Sequence, residues 1–449
     1  MKEKDYDVEE IQKLIENKKI AELKKYVESI NGADFPSIFE EVNDEDVIIL
    51  FRLLDKEKAA EVFAILDSDL QERLINSFTD VELKNVINKL FMDDTVDVIE
   101  EMPSNVVKRI LKSVNEKDRK IINEILNYPD ESAGSIMTTE FVDLKENMTV
   151  EDAFKKIKKT GVKKETVYNC YVVDMNRKLL GVVDTKDLLI ADRDEKVMNL
   201  IDTDIVEVNT HEDREDVAKL FDKYDCIAIP VVDGEKRLVG IVTVDDAIDV
   251  LIEETSEDFE KMAAMSPAED SYFKTSVFQH AKNRIIWLLV LMFSSIFTGL
   301  IITHYENAFA ALPILVAFIP MLMDTGGNCG SQSSTLIIRG LATDEIKPKD
   351  FLKAMWKEFR VSILVGIILA VFTAARIMIQ YQNPKLAIVV SLTITGVVII
   401  AKLLGCILPM IAKKLKLDPA IMAAPLITTI VDTCSVFLFF NIAVWILHI

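Results

Sequence analysis

The chain has little of what enzymes and secreted scaffolds are built from. Its 449 residues include only five cysteines and four histidines. Cys170, Cys226, Cys329, Cys406 and Cys434 are scattered and contain no CxxC, which argues against a disulfide framework or a zinc site and for reduced, buried thiols. His211, His280, His304 and His448 fall into no Ser/His/Asp or Cys/His arrangement, and no P-loop is present, so the sequence does not read as an enzyme. The first residues, Met1-Lys-Glu-Lys-Asp-Tyr-Asp7, lack the apolar run of a cleaved signal peptide. Positive charge is scarce as well: 52 Lys+Arg stand against 73 Asp+Glu, a net charge of −21. A surface of that sign repels phosphate, which argues against a nucleic-acid partner and for cations.

What is present is split in two. Half of the chain is hydrophobic while 28% is charged, and one soluble domain rarely shows both. Residues 1–272 hold 37 Lys+Arg and 65 Asp+Glu, a net of −28, whereas residues 273–449 hold 15 and 8, a net of +7. An acidic soluble half is joined near residue 272 to an apolar, mildly basic half.

A helix needs about 20 apolar residues to cross a bilayer. Residues 285–303 carry no charge, residues 361–379 carry only Arg376, residues 386–411 only Lys402, and residues 420–447 only Asp432. Residues 308–323 are apolar but hold Pro313 and Pro320, then run into a polar, glycine-rich stretch. The expectation is five spans. If the acidic half is cytoplasmic, the inside flanks hold twelve Lys and Arg (Lys274 and Lys282 near the first span, Lys413, Lys414 and Lys416 near the last loop, among others) and the outside flanks hold two, Arg376 and Lys385. That asymmetry predicts a multi-pass protein of the inner or plasma membrane, N-terminus cytoplasmic and C-terminus outside.

The soluble half contains a duplication. Tyr171-Val-Val-Asp-Met-Asn-Arg-Lys-Leu-Leu-Gly181 matches Pro230-Val-Val-Asp-Gly-Glu-Lys-Arg-Leu-Val-Gly240 at an offset of 59. Each copy reads as strand, turn, strand and helix, with a further helix ahead of it. Before this lies a region in which apolar residues recur every 12 positions: Leu54, Leu66, Phe78, Leu90, Met102, with companion sets from Val62 to Ile110 and from Phe63 to Leu111. Twelve residues make one short helix and a turn, and Asp55, Asp67, Asp80 and Pro103 fall where such helices would start. Stacked, they predict a small α-solenoid. Residues 245–273 suggest a helix that joins the soluble half to the membrane half and is rich in acids, among them Asp245, Asp246 and Asp249.

Two features of the apolar half carry chemistry. An intramembrane charge is by default functional, and Asp432 lies mid-span in Thr428-Thr429-Ile430-Val431-Asp432-Thr433. It reads as a pore-facing cation ligand in a lining hydrated by the threonines; the alternative is a structural ion pair with Lys402. In Asp324-Thr-Gly-Gly-Asn-Cys-Gly-Ser-Gln332, the glycines Gly326, Gly327 and Gly330 are expected to break or loosen a helix, or to form a small-residue surface on which helices approach closely, and both can hold together; Asn328 and Gln332 offer oxygens. These are hard donors that suit Mg2+, Ca2+ or Mn2+ better than zinc or copper. One carboxylate per chain is too little to strip Mg2+ of water, which points to a hydrated ion held by two symmetric chains.

The duplicated module resembles the paired cystathionine-β-synthase (CBS) module, in which a Gly at the strand turn is followed six residues later by an Asp, here Gly181 with Asp187 and Gly240 with Asp246. The resemblance implies an adenine nucleotide such as ATP, with Asp187 or Asp246 on ribose and Thr243 near phosphate; Asp184 replaces the Ser/Thr of the first copy and would repel phosphate. The whole chain resembles the MgtE family of magnesium channels, most specifically in Thr325-Gly-Gly-Asn-Cys-Gly-Ser-Gln332 and in Asp418-Pro-Ala with Pro425 and Asp432. That resemblance implies a multidomain membrane protein: a helical N domain (1–130), an α/β CBS pair (131–251), a connecting "plug" helix (252–273) and a transmembrane domain of five helices (274–449). It implies a homodimeric Mg2+ channel in a lipid bilayer, closed by cytosolic Mg2+ bound between acidic faces. The positions that fit this role are Glu61, Asp93 and Asp97 in the N domain; Asp213, Glu215, Asp225, Asp246 and Asp249 in the CBS pair; Glu254, Glu257 and Asp258 in the connecting helix; and Asp418 facing them. The competing expectation is a secondary transporter of divalent cations such as Mn2+ or Co2+, coupled to H+ or Na+; a sensor that transports nothing is a third.

Overall fold

The structure is a computed structural model that describes residues 6–268, 272–273, 275–306, 312–422 and 424–448. Lys274 and residues 308–311 of the expected second span lie outside the described residues. The chain divides into two units, Met1–Ile252 and Glu253–Ile449.

The first unit opens with ten helices: α1 (Val8–Glu16), α2 (Ile20–Ser29), α3 (Phe35–Glu41), α4 (Asp44–Leu53), α5 (Lys56–Ala64), α6 (Ser68–Ser77), α7 (Asp80–Ile87), α8 (Met92–Glu101), α9 (Ser104–Ser113) and α10 (Glu116–Ile125). The residues that immediately precede α4 to α10 are Asn43, Asp55, Asp67, Thr79, Phe91, Pro103 and Asn115, so the 12-residue spacing is the spacing of helix starts. A side-chain oxygen at such a position accepts from the first free N–H groups and ends the preceding turn. Asp67 accepts from Leu70 at 3.0 Å. At α7 the cap is Thr79 in a capping box with Glu82, not Asp80, which is the first helical residue. The apolar sets of the same period face inward: Val62, Leu74, Val86, Val98 and Ile110 are all buried, as are Phe63, Ile75, Ile87 and Ile99.

The CBS pair follows as β1 (Val142–Lys145), α11 (Val150–Thr160), β2 (Asn169–Val173), β3 (Leu179–Asp184), α12 (Thr185–Ile190), β4 (Val208–Asn209), α13 (Arg214–Tyr224), β5 (Ala228–Val232) and β6 (Leu238–Thr243). Each copy is a three-stranded sheet, parallel between its first two strands and antiparallel between the last two. The register slips between Val172 and Val173 in one and between Val231 and Val232 in the other, the same place in the repeat. Thr138 exchanges backbone hydrogen bonds with Ile241 at 2.8 and 2.9 Å, so the segment ahead of the first copy is stitched to the second.

The next helix, α14 (Val244–Met262), starts directly after β6. The connecting helix is thus the last helix of the CBS module extended, and begins eight residues before the expected domain boundary at 252. The second unit adds α15 (Val277–His304), α16 (Ile319–Ala342), α17 (Phe351–Tyr381), α18 (Pro384–Lys414) and α19 (Ala424–Leu447). Four of the five are long and apolar enough to cross a membrane, in the stretches Val277–His304, Pro348–Tyr381, Pro384–Lys414 and Pro419–Leu447. The exception is α16: its 24 residues reach about 36 Å at about 1.5 Å per residue, but its polar residues lower its hydropathy. It runs unbroken through Gly326, Gly327 and Gly330, so the glycines do not interrupt it as expected.

Candidate functional site

The glycines of α16 act by their lack of a side chain. A Cβ on Gly326 would stand 2.7 Å from Val431 and 2.8 Å from Val397, one on Gly327 3.0 Å from Thr428, and one on Gly330 2.6 Å from Ile427. These contacts leave no room for a methyl group, so α16 lies backbone-close to α19, the helix that carries Asp432. On the opposite side of α16, Asp324, Asn328 and Gln332 recur at i, i+4 and i+8 and are exposed. Asp324 acts electrostatically on Asp432, which is itself half-buried. Asp324 was absent from the sequence-derived site; its spacing to Asn328 was the signal for it.

The threonines around Asp432 are half-buried and spend their hydroxyl protons within their own helix. Thr428 and Thr429 both donate to the Pro425 carbonyl at 2.9 Å, and Thr433 donates to the Thr429 carbonyl at 3.0 Å. Lys402 does not pair with Asp432. Its ammonium lies 4.0 Å from Glu358 and donates to Ser333 Oγ at 3.3 Å, while Ser333 donates to Glu358 Oε2 at 2.5 Å. All three are buried and they join α16, α17 and α18. Glu358 escaped the sequence reading because it sits just before the apolar run, between Lys357 and Arg360, and resembles a flank residue.

In the first unit the structure gathers carboxylates between α8 and the start of α14. Asp93 is buried, its pKa pushed well up by burial and then by Asp246, Asp94 and Glu165. Burial also raises Asp94 and Asp246, each to about 6, and Glu165 to about 8, with neighbouring aspartates adding to each. Asp97 shifts the same way, by burial and then Asp246, although it keeps access to water. Thr243, one of the residues expected at a nucleotide, donates to Asp246 Oδ2 from its hydroxyl at 2.5 Å and from its backbone N–H at 3.4 Å, at the start of α14. Glu140 Oε2 accepts from Met92 N at 2.8 Å. Glu165 Oε2 is buried without a hydrogen-bond partner. Neither Glu140 nor Glu165 was singled out from sequence, because each is one acid among many in a loop.

The other expected ligands are dispersed. Glu61 lies exposed on α5, and Asp187 is exposed on α12. Asp213 caps α13, accepting from Glu215 N at 2.9 Å, while Asp225 ends it in a left-handed conformation. The 11 residues of α13 separate these ends by about 16 Å, so they do not meet in one chain. Glu215 is tied to Lys219 at 2.7 Å. Burial and then Asp245 raise the pKa of Asp249, which remains exposed. In the second unit Glu254 and Asp258 lie half-buried on α14. Lys261 stands between Glu257, with which it forms a short ion pair, and Asp418, 2.8 Å away. Among the described residues no three His, Cys, Asp or Glu side chains are arranged to enclose a metal ion.

Comparison with known proteins follows this layout. The family model for MgtE, a divalent cation transporter, matches residues 319–442. That for the MgtE intracellular N domain matches residues 30–131, and that for the CBS domain matches 133–194 and 197–253. The magnesium transporter MgtE of Bacillus subtilis is 36% identical over 380 residues, 85% of this chain and 84% of that protein. The magnesium transporter MgtE of Thermus thermophilus is 33% identical over 78% of this chain and 79% of its own. A crystal structure of the cytosolic domain of the Mg2+ channel MgtE in complex with ATP is 32% identical, with a TM-score of 0.52, covering 54% of this chain and all (100%) of that one.

Proposed function

Because the chain belongs to the MgtE family of divalent cation transporters, we propose that it carries Mg2+ across a membrane and is closed by Mg2+ on the side of its acidic unit. The observation that carries the reading is the glycine-mediated approach of α16 to α19, which sets a row of Asp324, Asn328 and Gln332 on the helix packed against that of Asp432. These are oxygen donors, and Mg2+ prefers oxygen and keeps most of its water. A hydrated ion held by Asp432 of two copies in a homodimer is the arrangement we favour. The flank charges set the acidic unit in the cytoplasm and the C-terminus outside.

The gate is the acidic interface of the first unit. The carboxylates of Asp93, Asp94, Asp97 and Asp246, with the orphaned oxygen of Glu165, do not enclose an ion as they stand, but they are all-oxygen donors of the kind Mg2+ takes, and Mg2+ would draw them together. Bound there, Mg2+ supplies the charge that these acids lack. Without it, Asp93 and Asp97 on α8 and Asp246 on α14 repel one another, and the N domain loosens from the CBS pair. Since α14 is one helix from Val244 to Met262, a shift at its start is carried to its end. Glu61, Asp249, Glu254 and Asp258 are proposed as further sites of the same kind. Asp213, Glu215 and Asp225 fit only where a second chain completes them. The CBS pair is the proposed seat of an adenine nucleotide, because the solved cytosolic domain of a relative carries ATP.

The test is Mg2+ flux into liposomes without a proton or sodium gradient, with Mg2+ varied on the side of the acidic unit. Flux that is lost in Asp432→Ala, and shut in the wild type by Mg2+ on that side, is the expected result. Unchanged flux in the mutant removes Asp432 from the path, and flux that needs a proton or sodium gradient replaces the channel with a coupled transporter. In the gated protein, Asp93→Asn/Asp97→Asn/Asp246→Asn should need a higher Mg2+ concentration to close; closure at the wild-type level would refute this gate.

A further inference from the structure

The pair Glu257 and Asp418 departs from the pattern of the other acids. One lies in the last turns of α14 and the other directly ahead of the short turn Pro419–Met422 that leads into α19. As arranged they do not fit a divalent ion, because an ammonium already lies between them. Lys261 Nζ is 2.8 Å from Asp418 Oδ2 and in a short ion pair with Glu257, one helical turn earlier. The three side chains are about three-quarters buried, with relative exposures of 25%, 29% and 28%. Asp418 is held from its other side, its Oδ1 accepting from Ala420 N at 2.8 Å. Burial disfavours the lysine charge, but the hydrogen bonds to Asp418 and Glu257 outweigh it and keep the pKa above its ordinary value.

The geometry points to a cation site between the connecting helix and the loop entering the Asp432 helix that the chain fills with its own Lys261. Two carboxylates and one ammonium leave a net charge of −1. A divalent ion between the same oxygens would stand within hydrogen-bond distance of a like charge, so it enters only if Lys261 leaves. The lysine is therefore a tethered competitor of Mg2+ at this place, and it draws α14 to the loop whether or not Mg2+ is present. A tether that binds one conformation shifts the population toward it without any ligand. This rests on the proposed Mg2+ gate, to which it adds a component that is independent of Mg2+.

The experiment uses the full-length protein in liposomes and in detergent, with wild type, Lys261→Met, Lys261→Arg and the exchange Lys261→Glu/Asp418→Lys. Two readouts are taken with chelator or with Mg2+ on the side of the acidic unit: flux of Mg2+ supplied from the other side, and the rate of chymotrypsin cleavage near Phe259, which is 68% exposed on α14. In chelator, Lys261→Met should raise flux severalfold and be cut severalfold faster than wild type, while Lys261→Arg and the exchange return both toward wild type. Added Mg2+ should then protect Lys261→Met by a larger factor than wild type, because Glu257 and Asp418 have become open to the ion. Equal cleavage of Lys261→Met and wild type in chelator would overturn the proposal, as would failure of the exchange to restore protection. If no protein gives any Mg2+ flux, the transport reading fails by itself, and the cleavage rates still decide the role of the lysine.

Discussion

Glu358 and Asp432 are both carboxylates on apolar helices of one unit, yet they are handled in opposite ways. Glu358 is buried with a lysine and a serine hydroxyl around it. Asp432 is half-buried, has no ion-pair partner among the described residues, and has another acid, Asp324, as its charged neighbour. A charge in an apolar surrounding persists when it is paired or when water and ions reach it. The first case is architecture; the second is what the proposed role of Asp432 as a cation ligand requires. The same division recurs outside the apolar helices: Glu257 and Asp418 hold Lys261, whereas Asp93, Asp94, Asp97 and Asp246 hold no basic group among the described residues.

The division is broken or sharpened most strongly by removing one member of the buried pair. Glu358→Gln leaves the Lys402 ammonium buried without its counter-charge, and loss of one partner of a buried pair typically costs about 3–5 kcal/mol. Glu358→Gln/Lys402→Met removes both charges and should recover most of that loss. Asp432→Asn should leave unfolding in detergent unchanged, or stabilise the protein slightly, while flux is lost. Thermal unfolding of the four proteins, set beside their flux, is the check. If Asp432→Asn destabilises as much as Glu358→Gln, the two acids are not different in kind.

A smaller effect is expected in the acidic cluster of the first unit. Its carboxyls have pKa values raised above ordinary, Glu165 to about 8 and Asp94 and Asp246 to about 6. A raised acid still holds its proton in the folded state at a pH where the unfolded chain has lost it. The stability it contributes is fully present below the ordinary carboxylate range and is lost as the pH rises through the folded value. In chelator, the unfolding of the first unit, followed by circular dichroism on the whole protein, should therefore shift to lower temperature between pH 5 and pH 8.5. Mg2+ should reverse the shift at pH 8.5 by binding the folded form. A transition that is flat with pH, or that rises with it, contradicts the burial of these acids.

Much of the architecture was legible because it is periodic. The 12-residue recurrence of Leu66, Phe78 and Leu90 located the solenoid, and the 59-residue offset located two sheets that share even their register slip. The apolar runs located four spans. The second was harder, because α16 buries its glycines and presents amides, a pattern that looks broken in one dimension and is continuous on a helix. Asp432 was legible as a lone charge in an apolar run. The carboxylate pairings were not: Glu358 with Lys402, Lys261 with Asp418 and Glu165 with Asp246 join residues between 44 and 157 positions apart, and only packing decides which acid of many meets a base and which meets another acid.

The smallest effect concerns one of the two helix starts among α4 to α10, those after Phe91 and Pro103, at which the preceding residue offers no side-chain cap. Asp55, Asp67, Thr79 and Asn115 cap their own helices, but the corresponding Phe91 has no oxygen to offer to α8. The need is met from elsewhere: Glu140, ahead of the first CBS strand, accepts from Met92 N at 2.8 Å. The helix that carries Asp93 and Asp97 is thus capped by a residue of the CBS module, so the cap is lost whenever that interface opens. Asp67→Ala should lower the stability of the first unit by about 1 kcal/mol at any Mg2+ concentration, as loss of a local cap does. Glu140→Ala should cost a similar amount with Mg2+ present. In chelator at pH 8.5 it should cost nearly nothing, since there the repelling acids have already drawn α8 away. Denaturant unfolding of both variants under the two conditions separates them, and an equal loss under both for Glu140→Ala would mean that the interface between α8 and the CBS module does not open.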